Sequence, residues 1–307
     1  MTVPGAGLRF PPWQPKIPLS GVDGRSARGR ECPPRPRDHA TRSPRKTGEM
    51  SGAPEVRIAE DARELAQEAA DLVVWLGQQA VSASGRFRVA LSGGTTPRLL
   101  YETLVSPAFS GQLDWPRVEF YFGDERCVPP SHPDSNFRMA EDTLLRPLKI
   151  APERIFRMRG EADDPNEAAR SYEAVLRTQV GVPPPGWPSF DLILLGLGED
   201  GHTASLFPGT PALEERARLV VASRAPQGVK NRITLTVPAI NHARVVLFFV
   251  SGIGKAAAVR AVIEDRDAGQ VPAKLIRPVD GRLIWFLDRE AASGLAVAKQ
   301  GVVSHEE

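Results

Sequence analysis

The sequence predicts an α/β protein: a mostly parallel β-sheet with helices on both faces, built as a single domain. Three observations predict it. From Glu55 onward, apolar runs of strand length alternate with longer segments whose apolar residues recur at three- and four-residue spacing, and strands alternating with helices make parallel sheets. The longest apolar runs, such as VVLFFV, are short and read as buried strands. Polar, glycine-rich segments follow FRVAL, VEFYF and DLILL directly, at the carboxyl ends of strands, where open α/β sheets bind ligands.

In chain order, EVRIA (55–59) is a short strand, and 61–81 is a long amphipathic helix. FRVALS (87–92) is a strand that passes through GGTTP into the helix RLLYETL (98–104). VEFYFG (118–123) is a strand leading into DERCVPPSHPDSN, after which Ser135 or Asn136 can cap the helix FRMAEDTLL (137–145). A helix over PNEAARSYEAVLRTQV (165–180) precedes the strands FDLILLGLG (190–198), RITLTV (232–237) and RVVLFFVS (244–251). The helix KAAAVRAVI (255–263), the strand LIWFLD (283–288) and a last helix complete a Rossmann-like layering.

The chain has 307 residues, 41% hydrophobic and 25% charged, an ordinary globular composition. No stretch approaches the roughly 18–20 uninterrupted apolar residues of a membrane span, so no membrane partner is expected. The formal charge of +2 is uneven: residues 1–50 hold eight Arg and two Lys against four acids, and nine of the 29 prolines. The basic excess therefore belongs to that segment, and the acidic remainder gives no reason to expect a nucleic-acid partner. Residues 1–50 lack apolar periodicity and are expected to be disordered, leaving 51–307 as the folded domain. Cys32 and Cys127 form no ligand-spaced cluster; neither a disulfide framework nor a metal site is expected, and a reducing cytoplasm fits.

Five segments carry candidate chemistry. LSGGTTP frees the backbone at Gly93 and Gly94, offers Thr95 or Thr96 as a cap, and opens a helix at Pro97, a place that attracts anions. GDERCVPPSHPDSN groups Asp124, Glu125 and Arg126 after a strand; they suit either a solvated loop or a site in which Arg126 grips a phosphate and Asp124 orients an imidazole or a water. GLGEDGHTASLFPG has the letters of a dinucleotide motif at Gly196, Gly198 and Gly201. Asp200, Gly201 and His202 stand where that motif opens its helix, however, and Pro208 would cut one short, so a tight active-site loop is the better reading. VKNRITLT sets Lys230 and Arg232 before a strand, as solvated charges or as the rest of a phosphate pocket. In SGIGKAAAV, Lys255 opposes the helix dipole, a hint of anion binding. No G-x-S-x-G elbow occurs.

Together LSGGTTP, GDERCVPPSHPDSN, GLGEDGHTASLFPG, NRITLTVPAINHA and GIGKAAAV, in that order, resemble the 6-phosphogluconolactonase family. The resemblance runs from Glu55 to LIWFLD. Sugar-phosphate deaminases and isomerases are relatives with a similar Gly-Asp-Gly-His stretch, but TASLFPG after His202 looks like the lactonase form. The resemblance implies hydrolysis of a phosphosugar lactone without cofactor or metal. His202 would be the general base, with Asp124 and then Asp200 as candidates for orienting it. Backbone donors such as Gly201 would face the oxyanion. Phosphate would lie on Arg126 with Arg232 or Lys230, completed by Gly93, Gly94 and Thr95. A monomer or small homo-oligomer is compatible with this reading. Ordered patterning begins at MSGAPEV, so Met50 is expected to be the initiator; the intact mass of the native protein should correspond to a chain starting there, and a mass including residues 1–49 would refute it.

Overall fold

The computed structural model describes residues 54–265 and 271–296; the expectations for residues 1–50 and for Met50 lie outside them. The elements are β1 (Glu55–Ala59), α1 (Ala62–Ser84), β2 (Phe87–Leu91), α2 (Thr95–Leu104), β3 (Val118–Phe122), β4 (Asp124–Arg126), α3 (Asn136–Ala140), α4 (Pro165–Val180), β5 (Leu192–Leu195), β6 (Val220–Arg224), β7 (Asn231–Leu235), α5 (Val237–Asn241), β8 (Val245–Val250), α6 (Ala256–Ile263), β9 (Arg282–Asp288) and α7 (Arg289–Ala292).

Local chemistry sets the helix ends. Asp61 accepts the amides of Arg63 and Glu64 to start α1, and Gly85, at φ 75°, closes it in the left-handed conformation. Asp164 and Pro165 open α4, and Gly181 ends it at φ 73°. Ser135 caps α3 by accepting the amide of Arg138. The expected helix over 137–145 divides there: α3 gives way to a π-helical turn over Glu141–Leu145. The Thr143 hydroxyl donates back to the Met139 carbonyl at 2.7 Å, a bond known to bend helices.

Six strands form an all-parallel sheet in the order β1-β9-β8-β5-β2-β3. Every residue of β3, β5 and β8 is buried, as strands covered by helices on both faces require. The chain steps outward from β2 to β3, returns past β2 to β5, and then continues the other way through β8 and β9. The carboxyl ends of β2 and β5 therefore flank the topological switch point.

One sequence expectation needs correction. RITLTV does not join the main sheet: as β7 it pairs antiparallel with β4 and β6 in a second sheet, order β4-β7-β6. β4 is the Asp124–Arg126 stretch, for which the sequence suggests a solvated loop or a site but no strand. Three consecutive charges give no apolar alternation, and their pairing to β7 is what makes them a strand.

The core is rich in aromatic packing. The Trp285 ring lies 3.9 Å from that of Phe248 at an interplanar angle of 3°, and both are fully buried. Phe248→Ala is expected to cost about 3–5 kcal/mol, read as a lower denaturation midpoint at constant slope.

Candidate active site

Three strand-end loops meet at the switch point. After β2 the chain turns through Ser92, Gly93 and Gly94 into α2. Gly94, at φ 110°, precedes the helix, and no side chain caps it. Neither threonine takes the expected capping role: Thr95 is the exposed first residue of the helix, and the Thr96 hydroxyl lies 3.1 Å from that of Ser251 beyond β8. The first-turn amides of α2 are thus left for solvent or an anion. Gly93 is required by close approach, since a Cβ there would fall 1.8 Å from Asn136 Oδ1.

Asn136 leads from that loop to the next. Its Nδ2 donates to the Asp124 carbonyl at 2.9 Å and to Asp124 Oδ1 at 3.2 Å. The other carboxylate oxygen of Asp124 accepts from Ser205 Oγ at 2.6 Å. Ser205 belongs to the loop after β5, and its amide also donates to Thr234 Oγ1 of β7 at 3.3 Å. Asp124, only 7% exposed, therefore joins the loops after β3 and β5. Its neighbour Glu125 accepts the amides of Asn136 and Phe137 and the hydroxyl of Ser135. Burial raises the Glu125 pKa against the opposing pull of those amides.

The loop after β5 carries the histidine. Gly198 donates to the His202 carbonyl at 2.8 Å, and Gly201 donates to Gly198 at 3.0 Å. The glycines thus fold a closed turn; the first helical residues after β5 are the 3-10 turn at Pro211–Leu213. His202 Nδ1 lies 2.5 Å from Asp200 Oδ1, and the His202 amide donates to the same oxygen at 3.1 Å. Burial works against the ionised Asp200, but these bonds from His202 hold its carboxyl below the usual range. Phe207 packs on the imidazole with ring centroids 4.6 Å apart. Among the described residues, no hydrogen bond engages Nε2, and the side chain is 33% exposed. Gly198 has no room for a side chain, since a Cβ there would sit 2.0 Å from His202 Nδ1. Gly201 adopts φ 78°, and its carbonyl accepts the Ala273 amide at 3.1 Å.

The two candidate site arginines face each other across the small sheet. Arg126 on β4 is registered opposite Arg232 on β7, so the two side chains leave the same face, which Asp124 shares two residues away. Arg126 donates to the Asp134 carbonyl at 2.8 Å. The Arg232 side chain makes no hydrogen bond or ion pair among the described residues, and its Nε is buried without a partner. Burial, followed by the charge of Arg126, lowers the Arg232 pKa. Lys230 stands apart, its ammonium bound to the Pro226 carbonyl.

Other candidates are occupied elsewhere. The Gly252 amide donates to both Asp288 carboxylate oxygens and the Ile253 amide to Glu290, so the SGIGK turn is filled by the chain's own carboxylates. His242 stacks on Trp187 at 5.0 Å and bonds the Pro238 carbonyl; His132 accepts the Asp134 amide. Burial pushes the Cys127 thiol up to about 11, the reverse of an activated nucleophile. Ser205 and Thr234 were not anticipated as site residues. No local spacing announces a hydroxyl that meets its carboxylate partner 81 residues away.

Exposed amides, an unpaired guanidinium couple and an acid-backed imidazole at one switch point suit small phosphorylated ligands, and α/β enzymes acting on such molecules are the class they indicate. The family of glucosamine-6-phosphate isomerases/6-phosphogluconolactonase matches residues 60–285, and the chain belongs to it. A 6-phosphogluconolactonase of Synechocystis sp. is 41% identical over 244 residues, covering 79% of this chain and 99% of the relative. One from Nostoc sp. is 38% identical over 243 residues, covering 79% and 98%. The structure of 6-phosphogluconolactonase from Trypanosoma cruzi superposes with a TM-score of 0.73 at 30% identity, covering 80% of this chain and 98% of that one.

Gly198→Ala is expected to displace the imidazole from Asp200 while leaving the sheet intact. The readout is a change in the His202 ring resonances within an otherwise preserved NMR spectrum; unchanged ring resonances would refute the close-packing account.

Proposed function

We propose that this chain hydrolyses 6-phospho-D-glucono-1,5-lactone to 6-phospho-D-gluconate in the oxidative pentose phosphate pathway, acting in the cytoplasm and without a metal or cofactor. The observation that carries the reading is the imidazole of His202, tied through Nδ1 to Asp200 while Nε2 has no hydrogen-bond partner among the described residues. Asp200 fixes the tautomer with the proton on Nδ1, leaving the Nε2 lone pair to act as base.

Water attacks the lactone carbonyl as Nε2 takes its proton, giving a tetrahedral oxyanion. The first-turn amides of α2 supply donors for that charge; the expected Gly201 donor is replaced in this reading, because the Gly198 and Gly201 amides are spent inside the histidine turn. The intermediate then collapses, the bond to the ring oxygen breaks, and the proton passes from Nε2 to that oxygen. The phosphate dianion lies on Arg126 and Arg232, whose mutual repulsion it relieves. The first-ranked orienting role for Asp124 is replaced in this reading. Its carboxylate is held by Ser205 and Asn136, so it positions the histidine loop, and Asp200 orients the ring. Of the two basic candidates, Arg232 is assigned to the phosphate and Lys230 to its turn.

The test generates the lactone in place from glucose 6-phosphate and measures hydrolysis above the spontaneous rate, with ammonia release from glucosamine 6-phosphate followed in parallel. His202→Ala is expected to lower kcat by about 10²–10⁴-fold. Arg232→Ala is expected to act chiefly on KM, raising it about 10–100-fold through loss of charge-assisted bonds. Ammonia release without lactone hydrolysis would instead place the chain on the isomerase and deaminase side of its family.

A further inference from the structure

The pole of the sheet opposite the candidate active site holds a second concentration of arginine. Arg86 precedes β2, Arg117 precedes β3, and Arg154 ends a nearby 3-10 turn. With Ser84, Gly85 and Pro116 they line a cavity of about 420 Å³, within the size range of small-ligand pockets. Arg88 lies behind them on β2.

These guanidinium groups are poorly compensated. One buried carboxylate, Glu119, serves three of them, with Arg86 at 3.5 Å, Arg88 at 3.2 Å and Arg154 at 3.5 Å. Glu119 also accepts the Tyr121 hydroxyl at 3.3 Å. Among the described residues, Arg117 has only Asp114 at 3.7 Å and the Gly85 carbonyl at 3.4 Å as side-chain partners. Elsewhere in the same molecule arginine–carboxylate pairs close to 2.7 Å at Arg157–Glu161 and Arg170–Glu167, and to 2.9 Å at Arg177–Glu173 and Arg244–Asp191. That is the ordinary length of a charge-assisted bond. At this pole the arginines outnumber the acids, and their donor forks are largely unspent around an open concavity.

We propose that this cavity is a second anion site, taking the diphosphate or triphosphate group of a small molecule and distinct from the phosphosugar site. An oligophosphate offers several oxygens to Arg86, Arg117 and Arg154 at once, which one shared carboxylate does not. Calorimetric titration of the full chain with sodium pyrophosphate tests this. Saturable binding is expected in wild type and in an Arg126→Ala/Arg232→Ala variant, weakened at least tenfold in Arg117→Ala/Arg154→Ala while lactone hydrolysis by that variant is unchanged. Arg86→Gln, at a half-exposed side chain, is expected to weaken binding in the same direction and serves if the double variant is unstable. Absence of saturable binding, equal affinity in the Arg117, Arg154 and Arg86 variants, or complete loss in the Arg126/Arg232 variant would overturn the proposal.

Discussion

A carboxylate at 7% exposure survives only if its lone pairs are engaged, because an unpaired buried charge costs several kcal/mol. Asp124 meets that condition by drawing in Ser205 from one loop and Asn136 from another. Asn136 in turn presses on Gly93, at the carboxyl end of β2. A single satisfied charge thereby fixes the loops after β2, β3 and β5 relative to one another. Without it the histidine loop would keep its glycine hydrogen bonds, the Thr203 hydroxyl on Gly196, the Ala273 amide on Gly201 and the Ser205 amide on Thr234.

The molecule uses the strand–glycine–helix turn twice, with opposite outcomes. After β8, the amides of Gly252 and Ile253 are taken by Asp288 and Glu290, so the positive end of that turn is internally neutralised. After β2, the corresponding turn has no side-chain cap and an exposed Thr95. The difference lies in what the neighbouring strand end supplies: β9 ends in Asp288, with Glu290 two residues on, whereas among the described residues no side chain caps the start of α2. Two similar local sequences thus give one structural joint and one open place for an anion. The opposed arginines of β4 and β7 continue that open place, with no ion pair to either side chain among the described residues.

Much of this was legible in the sequence, where pattern and position coincide. The apolar runs of β2, β3, β5 and β8 and the cap of α3 at Ser135 are local signals. So is the concentration of glycine and charge after three strands, which pointed to the loops that meet. The small antiparallel sheet was not legible, since β4 is three charged residues whose strand character comes wholly from β7. Nor was the partner of His202: Asp124 and Asp200 are chemically equivalent in a list of residues, and only the turn formed by Gly198 and Gly201 puts Asp200 on the ring. The preference for Arg232 over Lys230 likewise rests on tertiary pairing: Arg232 lies within β7 opposite Arg126, whereas Lys230 precedes the strand with its ammonium on the Pro226 carbonyl.

The first strand of the fold is completed by the last. Among the described residues β1 pairs only with β9, and Arg282 reaches Glu55 across 227 residues at 2.6 Å. During synthesis at about 5–20 residues per second, β1 waits roughly 10–45 s for its neighbour to be made. Through that interval EVRIA is an unpaired edge carried on a growing chain, and its alternating Glu55, Arg57 and apolar residues are what a temporarily exposed edge needs to avoid pairing with another chain. Closure of the sheet therefore waits for β9, and a chain cut short before β9 would carry its histidine loop but leave its sheet open.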